Sequence, residues 1–276
     1  MNYNNIENPE YKTQDEFYKL VLAIIFHDII YDPYENDNEE QSVELLKQYI
    51  GFHNDYPEIA DAILSTKSHK PNNNLSVELN KLDLQILYGN ISDFIQYDRQ
   101  IFKEYQYVEY SYYKEKRSQI LRSLDVNPLY IDVSQSYQPN IAIYAGSFNP
   151  FHIGHLNILK KAEQIFDKVI IARGKNLDKN NNDIKPLPEC LKYHQVIEYD
   201  TLLTDLINSF NYDVTLVRGL RNSTDLQYEM NTYNFLKELK PNIKIISLFS
   251  DNEYNHISSS AIKNLEKYNK HKPYLC

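Results

Sequence analysis

Through the first half of the chain, apolar residues recur at helical spacing. Phe17, Leu20, Val21, Ile24 and Ile25 share one helical face, as do Val43, Leu45, Leu46 and Ile50. Ile59, Ala62, Ile63 and Leu64 follow, then Leu82, Leu84, Ile86 and Leu87. Pro33, Gly51, Pro57, Pro71 and Gly89 punctuate these runs. No alternating pattern of useful strand length intervenes, so residues 1–132 read as an all-α module. The acidic stretch Asp32 to Glu40 reads as a solvated loop, and the tyrosine-rich stretch Tyr105 to Tyr113 as a helix burying one face. Residues 133–139 (VSQSYQP) are polar and end on proline, which predicts a linker. No repeat of solenoid or propeller period is present.

From residue 140 the pattern changes to strand–helix alternation. Ile141–Tyr144, Val169–Ala172, Val214–Val217 and Ile243–Phe249 are short apolar runs of the kind that fill buried strands. Helices are predicted over Leu156–Phe166, Leu202–Asn208, Asp225–Leu239 and Ser259–Tyr268. Residues 140–276 therefore read as an α/β, Rossmann-like parallel sheet covered on both faces. Ligands in such folds bind at the carboxyl ends of the strands.

Composition narrows the class. A hydrophobic share of 42% and a charged share of 24% suit a soluble globular protein. The longest apolar run, Leu20–Phe26, falls far short of the ~20 residues that span a bilayer. Residues 1–16 are polar and acidic and show no secretory pattern. Two cysteines, Cys190 and Cys276, make no disulfide framework, so a reducing cytoplasm is expected. Residues 1–139 carry 12 Lys and Arg against 23 Asp and Glu, a net −11, whereas residues 140–276 carry 17 against 15, a net +2. The back half suits anions, and neither half has the basic excess of a nucleic-acid binder.

The chemistry concentrates in the back half. Gly146-Ser147-Phe148-Asn149-Pro150-Phe151-His152-Ile153-Gly154-His155 joins a strand to a helix. Gly146 allows a tight turn, Ser147 offers a hydroxyl and an N–H near the positive helix end, and both histidines can reach one phosphate there. Gly154 leaves room for a ligand against the backbone. Alone, such a segment is an ordinary strand-to-helix turn with capping histidines. Val217-Arg218-Gly219-Leu220-Arg221 adds two arginines at another strand end, a phosphate clamp. Ile257-Ser258-Ser259-Ser260, opening a further helix, adds an anion nest. Three anion-binding devices at element ends are what a triphosphate requires.

These residues resemble phosphopantetheine adenylyltransferase, of the HxGH/TxGH nucleotidyltransferase superfamily. The resemblance spans about 140–270 and rests on GSFNPFHIGH, on RGLR at 218–221, on DxxYEM at 225–230 and on ISSS at 257–260. It implies adenylyl transfer from ATP, with Mg²⁺, to 4′-phosphopantetheine. Ser147, His155 and Arg221 are the implied catalytic residues. Phe148, His152, Gly219, Asp225, Glu229, Ser258, Ser259 and Ser260 join them around ATP, with Gly219, Asp225 and Glu229 at the adenosine. Ser147, Arg218, Leu203 and a lysine are implied for the acceptor. Ungapped counting makes that lysine Lys179, but Asn180–Asp183 looks inserted, which leaves Lys175 and Lys185 open. The resemblance further implies a homo-oligomer, a hexamer. An enzyme of the same superfamily acting on another phosphate, such as nicotinamide mononucleotide, is the neighbouring alternative.

In the front half, His27-Asp28 closes an apolar run, a costly place for both unless they share a metal or a strong hydrogen bond. FHDIIYDP, STKSH at 65–69, LDLQILYG at 82–89 and RSQILRSL at 117–124 resemble a family of HD-domain metal-dependent phosphohydrolases. The resemblance implies a divalent transition metal on His27, Asp28 and Asp83, with His69 as a further ligand. Asn4 and Asn8 stand where that family carries histidines, and neutral amides are poor ligands for such ions. The expectation is a degenerate module beside an active transferase; the alternative is a hydrolase whose back half senses nucleotide.

Overall fold

In the computed structural model, residues 14–51, 53–175 and 184–276 are described. The chain divides into two compact units.

The first comprises residues 1–98 and 125–130. Its described part is helical: α1 (Gln14–Phe26), α2 (Asn38–Ile50), α3 (Tyr56–Thr66), α4 (Asn74–Asp83), a 3-10 segment Leu84–Tyr88, and the start of α5 (Ile91–Glu104). Leu20, Ala23 and Phe26 face its core with Leu46, Ile59, Ile63 and Leu79. The helical period was legible in α1, but the buried face lies elsewhere: Phe17, Ile24 and Ile25 are exposed. In a run as uniformly apolar as Leu20–Phe26, spacing alone does not choose a face. Asn73 and Ser76 form a reciprocal capping box that starts α4. The Asn80 amide donates to Ser65 Oγ at 3.0 Å and joins α4 to α3. Asn38–Glu40, expected as loop, is the first turn of α2.

The second unit comprises residues 99–124 and 131–276. It contains α6 (Tyr110–Ser123), most of α7 (Pro128–Ser136), β1 (Ile141–Gly146), α8 (Ile153–Glu163), β2 (Lys168–Gly174), β3 (Val196–Tyr199), α9 (Leu203–Asn208), β4 (Val214–Leu220), α10 (Ser223–Leu239), β5 (Lys244–Phe249) and α11 (Ser259–Glu266). The strands form one parallel sheet in the order β3-β2-β1-β4-β5. Successive strands leave β1 on opposite sides, so a crevice opens between the carboxyl ends of β1 and β4. The side chains of β1 alternate between two cores. Ala142 and Tyr144 pack with Ile158 and Leu159 of α8, and Ile141, Ile143 and Ala145 pack with Ile207 of α9 and Leu236 of α10.

Two sequence expectations need correction. Residues 133–136 of the expected linker are the end of α7, a helix whose Ile131 and Ser134 are buried. The tyrosine-rich stretch is largely the connection between α5 and α6, not one helix. This arm belongs to the sheet's own core: Phe102 and Tyr110 pack with Ile141, Ile143 and Ile170, and the Tyr110 hydroxyl donates to the Tyr137 carbonyl at 2.7 Å. Lys168, 1% exposed, donates its ammonium to the carbonyls of Gln106 and Val108.

Burial pushes Lys168 down to about 7, against the pull of Glu109. Between that value and the unfolded 10.5, the unfolded chain holds more protons than the folded one. Stability from this group therefore rises with pH above about 7 and is at its worst below it, with a slope of at most about 1.4 kcal/mol per pH unit. Urea unfolding from pH 7 to 9 should show the rise, and Lys168→Met should flatten it. An unchanged slope in the variant would assign it elsewhere.

Candidate active site

β1 runs straight into the motif. A Cβ on Gly146 would sit 2.9 Å from the Phe148 ring. That ring cannot yield, being 1% exposed and packed against Tyr144, Phe151 and His155 at centroid distances of 5.0, 5.4 and 5.1 Å. Only glycine fits. The left-handed turn residue is Phe148 itself, at φ 45°, held by that aromatic packing.

His152 caps α8, its Nδ1 accepting the His155 N–H at 3.3 Å, and its ring stacks on His155 with centroids 3.5 Å apart. A Cβ on Gly154 would meet that ring at 3.2 Å. The space expected there for a ligand is taken by His152. Burial, reinforced by Arg221, pushes His152 down to about 4. Burial, His152 and Arg221 together hold His155 well below the usual histidine range. Both imidazoles are thus neutral at neutral pH, in a site whose remaining side chains include two guanidiniums.

Each arginine is spoken for on one side. Arg218, at the end of β4, makes a bidentate pair with Glu229 at 2.7 and 2.5 Å and donates Nη1 to the Ala145 carbonyl at 3.0 Å. Burial opposes its charge, but the Glu229 carboxylate outweighs this and raises its pKa. Arg221 pairs with Asp225 at 2.8 and 2.9 Å and donates Nη1 to the Ile257 carbonyl at 2.9 Å. That pairing raises Arg221 and lowers Asp225. At the start of α11, Ser258 Oγ accepts from Ala261 N at 3.1 Å, and Ser259 Oγ donates to the Pro150 carbonyl at 3.0 Å.

These elements enclose a cleft of about 520 Å³ at the crevice between β1 and β4. Every residue expected around ATP lines it, from Ser147, Phe148, His152 and His155 through Gly219, Arg221, Asp225 and Glu229 to Ser258, Ser259 and Ser260, and so does Arg218. Thr224, Tyr228 and Ser250 line it too. Thr224 had a readable signal, a hydroxyl in the first turn of a helix that follows a strand. Leu203 is not brought there and packs against the sheet core. Lys179 lies outside the described residues. Lys175 pairs with Glu198 at 2.7 Å, and Lys185 pairs with Glu266 at 2.7 Å while its N–H donates to Asn149 Oδ1.

The first unit gathers a second polar group. His27 Nε2 lies 3.4 Å from Asp28 Oδ2 and 3.8 Å from Asp83 Oδ1, and His69 Nε2 lies 3.1 Å from Asp83 Oδ2. His27 Nδ1 donates to the Ile24 carbonyl at 2.8 Å, which turns Nε2 toward the carboxylates. Asp83 raises His27 to about 9, against burial. Burial raises Asp28, and for Asp83 burial is outweighed by His27 and His69, which lower it. His27, Asp28 and Asp83 can offer three converging donors, within 4.8 Å of one another. Asn4 and Asn8 lie outside the described residues.

The cytidylyltransferase-like family model matches residues 143–265. Phosphopantetheine adenylyltransferase of Mycoplasma capricolum is 39% identical over 138 residues, which are 47% of this chain and 99% of that protein. The enzyme of the same name from Clostridium botulinum is 32% identical over 136 residues, 46% of this chain and 85% of that protein. A solved bifunctional NMN adenylyltransferase/ADP ribose pyrophosphatase from Francisella tularensis is similar at 18% identity and a TM-score of 0.35, over 50% of this chain and 45% of that one. The two named relatives align over most of their own length with the half of the chain that carries the cleft. Through that half, the chain belongs to the phosphopantetheine adenylyltransferase family.

Proposed function

We propose that the second unit transfers the adenylyl group of ATP to 4′-phosphopantetheine, giving dephospho-coenzyme A and pyrophosphate. The observation that carries this reading is the convergence of the GSFNPFHIGH turn, both arginines and the ISSS nest on one cleft at the sheet's switch point. An oxygen of the acceptor's 4′-phosphate attacks the α-phosphorus in line, and the bond from that phosphorus to the bridging oxygen of pyrophosphate breaks. No protein nucleophile is needed, so the work is positioning and charge neutralisation. His155 donates to the α-phosphoryl oxygens as a neutral imidazole, Arg221 and the serine nest hold the outer phosphates, and Arg218 meets the acceptor. The carboxylates lining the cleft, Asp225 and Glu229, each face an arginine; Mg²⁺ bound with ATP would supply further positive charge against the phosphates.

The test is pyrophosphate release from ATP with each phosphate acceptor in turn. Turnover with a mononucleotide and none with phosphopantetheine would replace this reading with the alternative in the same superfamily.

A homo-oligomer, a hexamer by resemblance, is part of the proposal. Within α10 only Leu236 is buried, whereas Tyr228, Phe235 and Leu239, which share one side of the helix, are 66%, 67% and 60% exposed. Such a face favours cover by another subunit. Light scattering at micromolar concentration should report an assembly, and a monomer would remove this part. No described helix is long and apolar enough to cross a membrane; a cytoplasmic location is part of the proposal.

For the first unit we propose an HD-like fold with a degraded metal site. The donor set of His27, Asp28 and Asp83, with His69 turned to Asp83, fits a divalent ion only in part. Four-coordinate transition-metal sites need more anionic or imidazole ligands than Asn4 and Asn8 could add. Elemental analysis of the purified protein should find little bound metal. Near-stoichiometric iron, manganese, nickel or zinc, lost in His27→Ala and Asp28→Ala, would instead support the hydrolase reading.

A further inference from the structure

Residues 250–258 connect β5 to α11 and bring Ser250 and Ser258 into the cleft lining. Tight turns relay along this connection: the Tyr254 N–H donates to the Asp251 carbonyl at 2.9 Å, and the Ile257 N–H donates to the Tyr254 carbonyl at 3.0 Å. A displacement at Asp251 is thus passed on to the serine nest. One anchor of the connection is the sheet, where the Ser250 N–H donates to the Leu220 carbonyl at 2.8 Å. The other is α8. Gly154, Asn157 and Lys161 stand three and four residues apart on one side of that helix, and each meets the connection. A Cβ on Gly154 would lie 3.8 Å from Tyr254 Cβ. Asn157 bonds Asp251 both ways, its amide donating to Oδ2 at 2.7 Å and its Oδ1 accepting the Asp251 N–H at 3.1 Å. The Lys161 ammonium donates to Asp251 Oδ1 at 2.6 Å and to the Phe249 carbonyl at 2.7 Å. Lys161, with Asn157, holds the Asp251 carboxyl below its usual range.

We infer that Asn157, Lys161 and Asp251 are positioning residues: they latch the 250–258 connection to α8, so that the helix capped by His152 and carrying His155 also sets where Ser258, Ser259 and Ser260 stand. The inference rests on the adenylyl-transfer reading, in which His155 and the serines hold different phosphates of one ATP. None of the three latch residues is among those lining the cleft. The phosphates of a triphosphate are tied by bonds of fixed length. A nest displaced by about 1 Å therefore cannot meet the outer phosphates while His155 meets the α-phosphate. Asp251 is exposed, and ion pairs of that kind contribute little to stability. The latch should therefore show itself in nucleotide binding and not in unfolding.

Asn157→Asp sets a second carboxylate against Asp251 and opens the latch. Combining it with Asp251→Asn exchanges donor for acceptor and closes the latch again, at the net charge of the wild type. Calorimetric titration of the full chain with ATP should show binding about tenfold weaker in the single variant and close to wild type in the double. AMP has no outer phosphates to reach the serines, so its binding should fall much less. The urea midpoint of the single variant should stay nearly unchanged, as should KM for 4′-phosphopantetheine. If Asn157→Asp does not fold, Asp251→Ala opens the latch without opposing two carboxylates and should give the same split between ATP and AMP. Wild-type affinity for ATP in a folded single variant would overturn the inference. So would equal losses of ATP and AMP, or a double variant that binds ATP no better than the single. Wild-type protein that binds no ATP would instead remove the adenylyl-transfer reading, and this inference with it.

Discussion

Replacing His155 by alanine lowers turnover by about 10²–10³ and leaves unfolding nearly unchanged. The ring is held in place from three sides, by Phe148, Phe151 and His152. Its fourth side is the cleft, so truncation widens an open cavity and does not create a closed one. On the proposed mechanism, what is lost is a donor aimed at charge that grows on the α-phosphoryl oxygens, an interaction worth most in the transition state. Arg221→Ala differs in kind. On the same mechanism its fork meets phosphate in the ground state as well, so KM for ATP should rise along with the fall in kcat. Steady-state kinetics distinguishes the two, and equal, small losses in both would mean the triphosphate lies elsewhere.

Phe102→Ala should destabilise the second unit by about 3–5 kcal/mol. Phe102 is 2% exposed, with the rings of Tyr110, Tyr113 and Tyr137 at 5.8, 5.2 and 5.9 Å. It belongs to the core that backs Ile141, Ile143 and Ala145 of β1. The strand that ends in the turn lining the cleft thus leans on a residue some forty positions upstream of it. Denaturant unfolding followed through ATP binding measures the loss. A change below about 1 kcal/mol would mean that the arm is packed too loosely to matter.

Why the sequence revealed some of this and hid the rest follows from burial. β1, β2 and β4 are covered on both faces, so their residues form continuous apolar runs that no other element explains. β3 was missed because it is a four-residue edge strand, VIEY, half exposed and interrupted by Glu198. The motifs that line the cleft are local, each within one strand-to-helix turn or helix start, and local order is what a sequence displays. The Arg218–Glu229 pair was not legible, because it depends on how α10 lies against the end of β4. Nor was the arm, since the packing of Phe102 and Tyr110 against the sheet has no signature in either segment alone.

That arm also sets a timetable for synthesis. Phe102 leaves the ribosome about 140 residues before Ile243, the last member of the same core. At about 5–20 residues per second, the interval is on the order of ten seconds. Over that time the aromatic side chains of the arm wait without the strands they will cover, exposed to any other apolar surface they meet. A chain built this way gains from a nascent-chain binder that shields residues 99–124, and slowing elongation between β1 and β5 would lengthen its exposure to misassembly.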